Sequence, residues 1–299
     1  MELRVLNYFL AVAREQNISA AAEFLHVSQP TLSIQLKDLE DELGKQLLIR
    51  GTKGSRRVTL TEEGMILRKR AEEIMDLVKI TQKEISVSEE SLAGEVRIGA
   101  GESDNIRLFA KAAKVVKEKH PMIQFNILSG NAVFVQEQLD RGLIDFGIVY
   151  GSIDNSKYCS LKIPFEDTWG VLMRKDSPLA GNKEIKAKDL WDKPLILSAQ
   201  KSDDTMIFRW LEKDIFQLNI AATYNLLFNA SIMVEEGLGY AVCFDKIINV
   251  GETSSLCFKP LNPVIKSEAI IIWKRYQVFS KAAQYFLNEL TEICNKEGK

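Results

Sequence analysis

Residues 28–44 read SQPTLSIQLKDLEDELG, and the spacing of their four leucines decides what kind of chain this is. On a helical wheel Leu36, Leu39 and Leu43 fall within about 40° of Leu32, which predicts a helix with one stripe packed inward. Ser28 is placed to cap it. Pro30 falls in the first turn, where its missing N–H has no helical partner to lose. The opposite face carries Pro30, Ile34, Lys37 and Asp41, with Gln29 and Ser33 on one flank and Thr31 and Asp38 on the other. Asp38, Glu40, Asp41 and Glu42 are confined to the C-terminal half, so charge is sorted along the axis. A phosphate backbone is repelled by the far end and admitted by the near end, where small polar groups and free helical N–H groups point outward. Recognition helices of helix-turn-helix proteins meet base edges with their N-terminal residues, so this helix is polarised for that insertion. Gln29 and Ser33 can hydrogen-bond to base edges, and Ile34 can touch a thymine methyl.

The neighbours strengthen this reading. Upstream, Leu3, Leu6, Phe9, Leu10 and Ala13 recur at helical spacing, and a short second helix, AAAEFL, follows with Ser19 as its expected cap. Downstream, QLLIR and RRVTLT read as two short strands around a glycine-containing loop. From Lys45 to Arg57 the bases Lys45, Arg50, Lys53, Arg56 and Arg57 are met by no acid, which makes a basic β-wing. A long helix is expected from Thr61 to about Glu89, with Leu67, Ala71, Ile74, Val78, Thr81 and Ile85 on a heptad seam suited to pairing with a second helix.

After Gly94 the period changes. Short apolar runs alternate with helical stretches: EVRIGA, QFNILSG, DFGIVYG, then WGVLMRK, PLILSA, AATYNLL, YAVCFD, LCFKPL and SEAIIIWKR, with a closing helix from Ser280 to about Asn295. Such alternation implies α/β units around parallel sheets, and Pro164 and Pro263 suggest two lobes joined by two crossings. Ligands of such domains sit at the carboxyl ends of strands, between lobes. That places Glu102, Ser103, Asp104, Gly130, Asn131, Tyr150, Ser198, Lys201, Phe228, Asn229 and Cys243 around a candidate site. Glu102 and Asp104 would repel an anion. The effector is therefore neutral or cationic, or its anionic end is held near Ser198 and Lys201; alternatively Asp104 caps its helix and Glu102 faces solvent.

The bulk properties are permissive. At 299 residues the chain suits about two domains, and its formal net charge of −2 predicts no partner. No run of 18 apolar residues occurs and no secretion signal opens the chain, so a cytoplasmic protein without membrane partner is expected. Four scattered cysteines and two histidines argue against a zinc or iron–sulfur site, and no cofactor is expected. Phosphate-loop, zinc-protease, nucleophile-elbow and dinucleotide fingerprints are all missing, which argues against an enzyme. The rival readings are an enzyme, or a small-solute-binding protein built on the same two lobes.

The run ISAAAEFLHVSQPTLSIQLKDLEDELGKQLLIR, followed by VTLTEEG, resembles the N-terminal signature of LysR-type transcriptional regulators. Beyond it the resemblance lies in the order of elements, with GLGYA at 237–241 the best local match. The resemblance implies an α/β protein with an N-terminal winged helix-turn-helix at 1–60, a linker and dimerisation helix at 61–91, and an effector-binding domain at 92–299. That last domain would be two-lobed and periplasmic-binding-protein-like, with lobe I at about 92–163 and 267–299 and lobe II at about 164–266. Implied partners are double-stranded DNA carrying an interrupted dyad operator, a small-molecule effector, RNA polymerase, and further copies of the chain as a homodimer or homotetramer. By position, the resemblance makes Ser28, Gln29, Pro30, Thr31, Ser33 and Ile34 groove and backbone contacts, with Lys37, Arg50, Lys53, Arg56 and Arg57 near phosphates. There are three departures from the family's pattern: Ile34 stands where the family often has arginine, the wing RGTKGSRRV is longer and more basic than usual, and GESDN replaces an uncharged serine or threonine loop.

Overall fold

A computed structural model describes residues 1–51, 57–86, 93–199 and 201–298, apart from the side chains at 83, 84, 86, 201–205 and 215. The chain divides into two compact units, Met1–Ser86 and Val87–Lys299.

The first unit orders α1 (Leu3–Glu15), α2 (Ile18–Phe24), α3 (Gln29–Leu43), β1 (Leu48–Arg50), β2 (Val58–Leu60) and α4 (Glu62–Ser86). Asn17, rather than Ser19, caps α2: its Oδ1 accepts from the N–H groups of Ser19 at 2.9 Å and Ala20 at 3.2 Å. The helix begins at Ile18, so Ser19 already lies in the first turn and supplies one of the donors that need a cap. Ser28 caps α3 as expected, accepting from Thr31 N–H at 3.2 Å. Leu32, Leu36 and Leu39 are buried against Phe9, Val12, Ala21, Leu47 and Leu48. Leu43 departs from the expected stripe, being 41% exposed, because the last turn of α3 runs past the edge of this small core before Gly44 ends it at φ 63°. The strands β1 and β2 pair antiparallel, Leu48 opposite Leu60. Glu40 ties α3 to them, its Oε1 accepting from Leu47 N–H at 2.7 Å and Leu48 N–H at 3.0 Å.

At the start of α4 the helix backbone lies so close to β1 that a Cβ on Gly64 would collide with the Leu47 carbonyl. This is the physical content of the glycine in LTEEG. Farther along, the structure corrects the heptad seam. Ala71 is fully buried and Leu67 packs against the core of this same unit, where α4 meets α1, so neither is free to face a partner helix. Ile74 and Val78 are half-buried, and Ile85 is exposed. The exposed apolar residues of α4 are Met65, Ile66, Leu77 and Ile85.

The second unit orders β3 (Gly94–Ala100), α5 (Ile106–Lys119), β4 (Ile123–Ser129), α6 (Ala132–Asp140), β5 (Phe146–Tyr150), β6 (Tyr158–Arg174), β7 (Ile185–Lys186), β8 (Leu195–Ser198), α7 (Lys201–Leu211), β9 (Ile220–Tyr224), α8 (Leu227–Glu235), β10 (Tyr240–Phe244), β11 (Leu256–Asn262), β12 (Lys266–Lys274) and α9 (Lys281–Glu297). The strand order is β4-β3-β5-β12-β6-β10-β8-β9. The ladders β3–β4, β3–β5, β8–β9 and β10–β8 are parallel, as the alternation predicts. In contrast, β12 runs antiparallel to β5 and β6, and β6 runs antiparallel to β10 and β11, so the sheets are mixed rather than purely parallel. These are the returning segments. Strand β6 starts at Tyr158, eleven residues before the run WGVLMRK (158 to 169), because its first half alternates buried and exposed positions instead of reading as an apolar block.

Two cores hang on β6. One gathers Val96, Phe109, Phe146, Ile163, Ile271 and Phe286; the other gathers Trp169, Val171, Leu195, Trp210, Val242 and Leu261. The change of lobe therefore falls between Ile163 and Trp169 on one continuous strand. In GLGYA, Gly239 is pressed against Pro194, whose carbonyl any Cβ would strike.

Candidate nucleic-acid interface and effector site

At the N-terminus of α3, Ser28, Gln29, Pro30, Thr31, Ile34 and Lys37 are exposed and Ser33 is half-buried. Gln29 Nε2 donates to Ser33 Oγ at 3.1 Å, and Ser28 Oγ and Thr31 Oγ1 lie 2.7 Å apart. The polar flank is thus pre-ordered by bonds one helical turn long. Ile34 is 58% exposed. Of the acids in the far half, Asp38, Asp41 and Glu42 are exposed, while Glu40 is spent on the wing amides. Arg50 does not stand as a bare cation: its guanidinium lies 3.7 Å from Glu40. Arg57 is exposed beside β2, and Lys53 and Arg56 lie outside the described residues.

In the second unit a cavity of about 40 Å³ opens between the lobes, lined from lobe I by Gly101, Glu102 and Tyr150 and from lobe II by Trp169, Ser198, Tyr224, Asn225, Leu227 and Phe244. Of the residues predicted from strand ends, Glu102, Tyr150 and Ser198 meet there. The others do not. Asp104 turns outward to Arg107 at 2.7 Å, and Asn131 caps α6 by accepting from Phe134 N–H at 2.9 Å. Ser103 is buried behind the loop, and Gly130 donates its N–H to the Ala100 carbonyl. Phe228 and Asn229 are exposed on α8. Cys243 is buried on the far face of β10 with Leu172, Ile196 and Ala230, and that burial pushes its thiol pKa up. Phe244, the next residue on a strand of period two, is the one that lines the cavity. The Lys201 side chain lies outside the described residues.

The reading of Glu102 as solvent-facing is also corrected. Its Oε2 accepts the backbone N–H of Leu227, in a short contact, and that of Phe228 at 3.3 Å, so a lobe I carboxylate caps a lobe II helix. Helix α8 has no side-chain cap of its own. A second tie involves Asp167, buried where β6 changes lobes. Asn105 Nδ2 donates to its Oδ2 at 2.5 Å, and Tyr150 O–H donates to the same oxygen. Burial raises the Asp167 pKa to about 6, the Tyr150 hydrogen bond opposes this, and the nearby Asp245 adds to it. Tyr150 in turn packs on Phe244, with ring centroids 4.9 Å apart, and Phe244 on Trp169 at 4.3 Å. The strand end at Cys243 and Phe244 is legible in the sequence, whereas Trp169, Tyr224 and Asp167 lie within strands or at their last inward positions, where loops after strands do not point.

No helix among the described residues is long and apolar enough to cross a membrane. Residues 3–65 match the family model described as bacterial regulatory helix-turn-helix protein, lysR family, and residues 89–295 match the LysR substrate binding domain. Among curated relatives, the HTH-type transcriptional regulator BsdA of Bacillus subtilis is 29% identical over 96% of this chain and 99% of its own. The Hca operon transcriptional activator HcaR of Escherichia coli is 28% identical over 92% of each chain. Among solved structures, full-length CbnR complexed with its target DNA superposes with a TM-score of 0.75 at 19% identity, over 98% of this chain and 100% of that one. That likeness shows the fold, two-lobed α/β domain included, for which the periplasmic comparison is an analogy of shape. The relatives are regulators of transcription and not enzymes. With both family models matched in order along its length, the chain belongs to the LysR family of DNA-binding transcriptional regulators and carries that family's effector-binding domain.

Proposed function

We propose that paired copies of this chain bind an interrupted dyad operator through α3, and that a small molecule held in the cleft between Glu102, Tyr150, Ser198, Trp169 and Phe244 alters that binding. The observation carrying the DNA half is the polarity of α3: an exposed, uncharged first turn ordered by Ser28, Gln29, Thr31 and Ser33, with its acids at the far end. Gln29, Ser33 and Ile34 face the bases, and Lys37, Arg57 and the wing bases Lys53 and Arg56 neutralise phosphates. Similarly folded CbnR is found complexed with its target DNA. Exposed Met65, Ile66, Leu77 and Ile85 on α4 support assembly into dimers or tetramers, which would engage RNA polymerase near promoters from the cytoplasm. A gel-shift with the chain's own upstream DNA, with and without a panel of neutral, cationic and anionic metabolites, tests both halves. A metabolite-dependent shift on that DNA and none on scrambled DNA is the expected result. Equal binding to both would overturn the operator reading.

A further inference from the structure

The cleft contains an arrangement that effector binding alone does not account for. Helix α8 presents its first N–H groups to the cavity with no side-chain cap from its own lobe, and the group that satisfies them comes from the loop after β3 in the opposite lobe. Unsatisfied N–H groups at a helix start carry a partial positive charge and favour an anion. Glu102 supplies that anion from within the chain. It is half-buried, and among the described residues lining the cavity there is no lysine or arginine to share its charge. The space left beside it, about 40 Å³, has room for a few water molecules.

We propose that Glu102 is an intramolecular clasp: its carboxylate bridges lobe I to the N-terminus of α8 in lobe II and keeps the cleft shut until a ligand displaces it. The clasp regulates the cleft assigned above to the effector, and its regulatory meaning rests on that assignment; its existence does not. Displacing Glu102 frees the Leu227 and Phe228 amides and opens the aromatic floor formed by Trp169 and Phe244. A ligand bringing its own carboxylate can take those amides, and the site then exchanges one carboxylate for another without leaving donors bare.

Hydrogen exchange at the Leu227 and Phe228 amides of the full-length chain tests this without any effector. In Glu102→Ala, exchange at these two amides is expected to rise about tenfold or more, with α5 and α9 unchanged. Adding sodium acetate, but not sodium chloride at equal ionic strength, is expected to restore protection in Glu102→Ala and to do nothing to the parent chain. Glu102→Gln, which keeps the shape and one acceptor but loses the charge, should rise by a smaller factor, and it reads the same amides if Glu102→Ala fails to fold. Unchanged exchange in both variants, or an equal response to acetate and chloride, would overturn the clasp. Failure of any metabolite to bind, with the exchange result intact, would instead count against the effector assignment alone.

Discussion

Asp167 shows how one buried carboxylate can make stability depend on pH. Its folded pKa, raised to about 6 chiefly by burial, exceeds the unfolded value of about 3.9. The group therefore favours the folded state below about pH 4, and that contribution disappears as pH rises through 6, up to about 3 kcal/mol in all. Asp167→Asn keeps an acceptor for Asn105 and Tyr150 and cannot ionise. Thermal unfolding followed from pH 4 to 7 should show a flatter profile for Asp167→Asn than for the parent chain, and a higher Tm at pH 7. At the other end of the chain, Gln29 is exposed and among the described residues its side chain bonds only to Ser33, so Gln29→Ala should leave Tm unchanged. It should lower discrimination between matched and scrambled operators in competition gel-shifts by roughly 1–3 kcal/mol, and equal losses on both DNAs would remove Gln29 from base readout. The exposed and buried positions of α3 were legible because a helix wheel sorts them. Those of the cleft were less so: whether Cys243 or Phe244 faces the ligand depends on strand phase, and Glu102's partner lies 125 residues away.

At the scale of elements, the first unit is held by close contacts between backbone segments as much as by its leucines. Gly64 lets α4 start directly over the Leu47 carbonyl. Gly64→Ala must push that helix off the wing strand, at a cost of about 1–3 kcal/mol by analogy with overpacked cores. A Tm lowered by several degrees, with operator affinity reduced because β1 and β2 shift together, is the expected outcome, measured by calorimetry and gel-shift. An unchanged Tm would mean that the start of α4 can move freely. Helices and most strands of the second unit could be read from apolar periodicity. The first half of β6 could not, since Lys162 and Glu166 on it pair with Glu268 and Lys266 of β12 across the ladder and give the segment the polarity of a loop. Likewise the apolar stripe of α4 is divided: Leu67 and Ala71 pack within the first unit, while Ile85 is exposed. Periodicity reveals that a helix has an apolar stripe, and only the position of α1 reveals that the chain itself covers Leu67 and Ala71.

For the whole molecule, division into two units predicts separable unfolding. Phe286 on α9 is fully buried among Phe109, Phe125 and Phe146, with ring centroids 5.2 to 5.6 Å away. Phe286→Ala should cost about 3–5 kcal/mol. It should lower one calorimetric transition, that of Val87–Lys299, and leave the transition of Met1–Ser86 in place. A single transition shifting as a whole would show that the units unfold together.

The passage of β6 through both lobes also sets an order of synthesis. Residues Met1–Ser86 are contiguous and can fold as soon as they leave the ribosome. The lobe II core, from Trp169 to Leu261, closes on a contiguous stretch next. Lobe I begins earlier, at Val96, yet it needs Ala282, Ala283, Phe286 and Leu290 from α9, so it is the last to close. A nascent regulator would thus hold a finished DNA-reading head while its sensor still lacks a wall, and ribosome pausing before Lys281 would prolong that interval.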